Sequence, residues 1–176
     1  LGFELVDVDI PLLEHAGAAG YCVLMVEQAA FHQRWLRTER ITDYTRETRW
    51  LLAAGSLIPA THYQAANRYR AALTEQVRDA FARHELLALV GPTTPAVAQP
   101  VGAVANPTYV PDAVRYTVPG NLTGLPCLTV PCGFDADHLP VGLQLTGRAF
   151  REPELLRIAQ SYEDATSWHR ETPRYP

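Results

Sequence analysis

The side chains that could carry chemistry in this sequence are few and scattered. All 15 basic residues are arginine and none is lysine, while serine occurs only at Ser56, Ser161 and Ser167. No Gly-x-Ser-x-Gly elbow presents a nucleophile, and no Gly-x-Gly-x-x-Gly or Walker loop offers backbone N–H groups to a phosphate. His15, His32, His62, His84, His138 and His169 stand at no ligand spacing and read as surface or capping residues. Cys22, Cys127 and Cys132 form no Cys-x-x-Cys pair, so no metal and no cofactor is expected. They read as buried apolar thiols in a reducing, cytoplasmic setting, with Cys127 and Cys132 on opposite faces of one strand. Asn121-Leu122-Thr123 has the form of a glycosylation acceptor. Beside Pro119, Gly120 and Gly124, however, Asn121 reads better as a hydrogen-bond partner for freed backbone groups.

The elements that must position these residues follow from periodicity. Val6, Val8 and Ile10 alternate with Asp7 and Asp9, which predicts a half-buried strand over 3–10. Pro11 ends it, and a long helix is expected over 12–37, apolar nearly all round at its centre and so covered on several sides. Glu27 within it reads as a helix-surface carboxylate, with a buried, partnered one as the alternative. Asp43 is the expected N-cap of a short helix through Ala54, with Gly55 as its stop. A third helix over 59–84 carries the stripe Tyr63, Ala66, Tyr69 (or Arg70), Leu73, Val77, Ala80 and Phe81. Arg68, Arg70, Arg78 and Arg83 fall mainly on its solvated face. Residues 86–92 read as a buried strand, 93–112 as a long irregular loop, and 116–126 as a Pro/Gly-locked turn. Strands follow over 127–132 and 141–145, the second an edge or bulged strand because of Pro140 and Gly142. A last helix starts near Pro153 and buries Leu155, Ile158 (or Ala159), Tyr162, Ala165 and Trp168. The order describes one α/β layered domain over 1–176 with too few strands for a complete doubly wound sheet.

Composition narrows the class. A net charge of −4 and a pI near 5.8 lack the basic footprint of a nucleic-acid binder. No apolar run approaches the ~18 residues of a membrane span. Leu1 rather than Met opens the chain, which suggests a fragment or a processed product. Helix faces without a partner then imply self-association, so a homo-oligomer is expected.

Several strings together carry a family resemblance. They are "PTTP" at 92–95, "VPGNLTGLPCLTVPCGF" at 118–134, and "LPVGLQLTGRAFREPELLRIAQSYE" at 139–163. "GFELVDVDIPLL" and "RETRWLLAAGSLIPATHYQAA" agree upstream. The sequence resembles the C-terminal portion of the amidase signature family, which includes general amidases and the A subunit of glutamyl-tRNA(Gln) amidotransferase. The resemblance implies a partial mixed β-sheet covered by α-helices. It also implies hydrolysis of carboxamide C–N bonds in the full-length enzyme, with a small-molecule amide as substrate. The family's Ser-cisSer-Lys triad, in which the nucleophilic serine is activated through the second serine by lysine, is absent from this chain. By resemblance, Thr93, Thr94, Pro95, Tyr116 and Asn121 would form pocket wall; the alternative is that they only tie a loop to the sheet. Amidotransferase members read glutamine with an Arg and an Asp. Here Arg46 and Arg49 are available, but Val114 stands at the Asp position with Asp112 two residues away, which favours a general amidase. An amidotransferase segment that works with acyl-tRNA and a companion subunit, or a non-catalytic module, are the other readings.

Overall fold

The structure, a computed structural model, describes residues 2–100 and 113–172, so Asp112 and most of the expected 93–112 loop lie outside the described residues. Residues 2–10 are not in a strand. Their alternation is present, but a strand needs a ladder, and no backbone hydrogen bond joins residues 2–9 to another described segment. Ile10 is buried, whereas Leu5 is 84% exposed.

A 3-10 turn, Pro11–His15, leads into helix α1, Ala16–Leu36. The turn is fastened to the third helix, because the Leu12 N–H donates to Gln76 Oε1 at 2.9 Å and the Tyr69 hydroxyl donates to the Leu12 carbonyl. Only Ala16, Val23 and Ala29 of α1 are buried, and Leu24 and Phe31 face solvent, so its cover is one-sided rather than all round. Glu27 lies on the surface and accepts a hydrogen bond from the Tyr63 hydroxyl at 3.0 Å.

Helix α2 spans Arg46–Gly55 and is capped by Thr45, whose Oγ1 accepts the Thr48 N–H at 3.3 Å. Asp43 lies two residues too early for that role; it ends a 3-10 turn and pairs with Arg40 at 3.3 Å. Gly55 is the last helical residue, and its role is close approach rather than a left-handed stop. A Cβ there would stand 2.1 Å from the Met25 carbonyl oxygen of α1. Helix α3, Ala60–Arg83, buries Ala66, Leu73, Val77, Ala80 and Phe81, the core of the expected stripe. Arg70 leaves the solvated face and donates from Nε to the Leu122 carbonyl at 2.7 Å.

Strands β1 (Ala88–Pro92), β2 (Cys127–Phe134) and β3 (Pro140–Gly147) form a sheet in the order β1-β3-β2. This is the expected α/β layering around a partial, unclosed sheet. Both ladders are antiparallel, so any parallel neighbour would have to come from beyond these strands. β1 is an edge strand with Val90 half exposed, not a buried one. β3 is central, not an edge. Pro140 is tolerated because it opens the strand, and the irregularity lies opposite, in β2 between Pro131 and Gly133.

Residues 118–123 form a short helix, α4 (Val118–Thr123), in place of the expected turn. Pro119 suits its first turn, and Gly124 closes it at φ 70°. Helix α5, Glu152–Ala165, packs Leu155 and Ala159 on the sheet. Trp168 falls in a following 3-10 turn, partly exposed against Phe134. One buried cluster joins α1, α3 and α4 through Val23, Leu73, Val77, Phe81 and Leu122. Another lies between sheet and α5, around Val130 and Leu145. Cys127 is exposed, and Cys22 and Cys132 are half-buried, so none of the three thiols is a core residue. Among the described residues no helix is long and apolar enough to cross a membrane.

Candidate functional site

Strand parity sets the site. Val130 and Leu145 point towards α5, so Thr129, Gln144 and Thr146 face the other side of the sheet. That side opens into a cleft of about 650 Å³ between the sheet, the start of α1 and the segment from Arg115 to Leu125. The volume is in the range of small-molecule sites.

The segment roofing the cleft is held on several sides. Gly20 of α1 leaves room for Val118, since a Cβ there would stand 2.2 Å from Val118 Cγ1. Gly120 does the same for the Cys127 sulfur, at 2.5 Å. Arg70 holds the Leu122 carbonyl, and Gln144 Nε2 donates to the Tyr116 carbonyl at 2.8 Å. The polar side chains of the lining are Gln144, Thr146, Thr123, Tyr21 and Tyr116, with Glu14 and Arg115 as its charges. Burial pushes the Tyr21 phenol above its ordinary pKa. No group of three or more His, Cys, Asp or Glu side chains suited to a metal forms among the described residues. A shallower, largely apolar depression of about 790 Å³ lies beside Cys22, Leu57 and Ile58, with His15, His62 and Tyr69 in its lining.

Of the five residues expected at a site, Tyr116 lines the cleft. Thr93 sits beside it: its N–H donates to the Gly142 carbonyl at 3.0 Å, and its Oγ1 lies 3.1 Å from Thr129 Oγ1. Gly142 makes room for this hydroxyl pair, because a Cβ would come within 2.8 Å of Thr93 Oγ1. Thr94 closes a local turn onto the Ala96 carbonyl at 2.8 Å, with exposed Pro95 between them. Asn121 donates to the Thr117 carbonyl at 3.3 Å, a bond to local backbone. Gln144 and Thr146 went unassigned in the sequence, although they alternate with Leu143 and Leu145 in "GLQLTG" and so had to face away from the core.

Relatives share this architecture. A family profile described as Amidase matches residues 1–156. The chain belongs to the amidase family. A Pseudomonas putida amidase is 36% identical over 180 residues, covering 98% of this chain and 38% of the relative. The A subunit of the Chloroflexus aurantiacus glutamyl-tRNA(Gln) amidotransferase is 33% identical, over 99% of this chain and 40% of its own. In three dimensions a crystal structure of an amidase superposes with a TM-score of 0.82 at 24% identity, across 93% of this chain and 38% of that one. The A subunit of the Thermotoga maritima glutamyl-tRNA(Gln) amidotransferase superposes at 0.70 with 27% identity, across 94% of this chain and 36% of that one. The amidase-family chain described here thus spans about 38–40% of the length of these curated relatives.

Proposed function

We propose that this chain is the C-terminal portion of an amidase-family hydrolase of carboxamide C–N bonds, that it supplies pocket wall, and that it is inactive alone. The observation that carries the reading is the cleft roofed by Tyr116 and floored by Gln144 and Thr146, in a chain without lysine. A wall of hydroxyl and amide groups orients a small polar substrate, but it holds neither a serine nor the lysine of the family's triad. In this reading Tyr116 and Thr93 stand at the wall, Thr94 and Pro95 continue its rim, and Asn121 stiffens α4 behind it. The assembly is cytoplasmic and folds as one unit with the rest of the enzyme.

A chimera tests this. The C-terminal portion of the Pseudomonas putida amidase is replaced by these 176 residues. Hydrolysis of simple aliphatic or aryl amides is the expected result. A folded chimera without turnover, while the parent amidase remains active, overturns the proposal.

The amidotransferase reading has the Chloroflexus aurantiacus relative in its favour. Against it, Val114 supplies only a backbone carbonyl to Thr117 and Val118, with no carboxylate for an amino group. A general amidase is the better fit.

A further inference from the structure

Gln144 is held in one orientation. Its Nε2 donates to the Tyr116 carbonyl oxygen at 2.8 Å, and a carbonyl can only accept. The amide nitrogen therefore faces Tyr116, and Oε1 is turned away from it. In register, Gln144 lies between Gly91 of β1 and Thr129 of β2. Gly91 has no side chain to cover it, and the Thr129 hydroxyl is engaged with Thr93. Among the described residues no N–H or O–H donates to Gln144 Oε1. The cleft floor thus presents a neutral acceptor whose direction the backbone of Tyr116 has fixed. Thr123 donates its proton to the Pro119 carbonyl at 2.7 Å, so its oxygen is also an acceptor, but it stands on the opposite wall. Glu14 is an exposed carboxylate.

We propose that Gln144 is a specificity-determining residue of this cleft, accepting the N–H of a carboxamide ligand on Oε1. This rests on the cleft being substrate wall. The cleft then separates carboxamides that carry an N–H from esters and N,N-dialkylamides of the same shape, which have no donor to offer. A polar site that loses its partner discriminates more sharply than an apolar one, because its own group is left unsatisfied.

The test is a titration of the 15N-labelled chain with benzamide, methyl benzoate and N,N-dimethylbenzamide, followed at the signals of Tyr116, Thr146 and the Gln144 side-chain amide. Benzamide is expected to bind about fivefold more tightly than the other two, the effect of one neutral hydrogen bond. In Gln144→Met, which keeps the length of the side chain without its acceptor, the preference is expected to vanish through weaker benzamide binding alone. Equal affinities in the unsubstituted chain, or an unchanged preference in a folded Gln144→Met, overturn the role of Gln144. The unsubstituted comparison decides the matter even if that variant does not fold. Binding of none of the three, either by this chain or by its chimera with the Pseudomonas putida amidase, overturns the substrate-wall reading itself, whereas binding of all three without preference overturns only the role of Gln144.

Discussion

Gly55→Ala sets two opposing effects against each other on one atom. Alanine is the better helix former, by about 1 kcal/mol in a helix interior and less at a last helical residue such as Gly55, so propensity alone predicts slight stabilisation. The added Cβ, however, would lie 2.1 Å from the Met25 carbonyl oxygen, 2.7 Å from its carbon and 3.2 Å from the Ala29 Cβ. Two of these atoms are backbone of α1 and cannot rotate aside. Normal contact requires α2 to retreat by roughly 1 Å, which loosens Leu52, a residue only 2% exposed in the structure. Overpacking of this kind costs about 1–3 kcal/mol, and the nearness of the backbone places the cost at the upper end. Net destabilisation of about 2 kcal/mol is expected, or roughly 4–8 °C in Tm for a chain of this size. Urea unfolding followed by circular dichroism measures it, with Gly17→Ala as the comparison because a Cβ at Gly17 meets nothing within 4 Å. Gly17→Ala is expected to be neutral or slightly stabilising. A Gly55→Ala chain as stable as the unsubstituted one, with the same denaturant slope, would refute the close approach of α1 and α2.

Other outcomes follow from single contacts. Thr45→Ala removes the cap of α2 and should cost about 1 kcal/mol in urea unfolding, while Asp43→Ala should cost less than half of that. Burial raises the Tyr69 pKa above 10.0, opposed by a hydrogen bond from the His15 backbone and aided to a smaller extent by Glu14. The folded chain therefore holds this proton more tightly than the unfolded one. The resulting stability is complete below pH 10 and is lost as pH rises through the folded pKa. Tyr69→Phe should flatten that alkaline decline in a pH series of unfolding curves, and should also lower stability at neutral pH by about 1 kcal/mol through loss of the bond to Leu12. Light scattering at ~0.1 mM should find the chain self-associated, given exposed Leu5, Phe31, Trp50 and Leu57; a monodisperse monomer that binds no apolar dye would contradict this.

Elements whose stability is local were the ones legible in the sequence. The α3 stripe and the 152–165 helix declare themselves by helical spacing, and the structure places both within a residue or two. The strand expected over 3–10 fails for the converse reason, since alternation signals a strand only where a partner edge exists. The roles of β1 and β3 were reversed because edge or centre depends on pairing across the sheet, which Pro140 and Gly142 do not encode. At the site, the family strings pointed to Thr93, Thr94, Pro95, Tyr116 and Asn121, of which Tyr116 lines the cleft. The cleft floor came instead from strand parity. Gln144 and Thr146 are ordinary polar residues in an alternating strand, and only tertiary structure shows what lies above them. Gly55, read as a helix stop, and Gly120, read as part of a locked turn, prove to be contact points between elements, as does Gly20.

The central claim is that this chain carries an amidase wall without the machinery that activates a nucleophile. Ammonia release from propionamide and benzamide by the purified 176-residue chain tests it most directly. No release above the uncatalysed blank is expected, and release should appear only when the chain is joined to the remainder of an amidase. Sustained, enzyme-proportional ammonia production by the chain alone would contradict the claim.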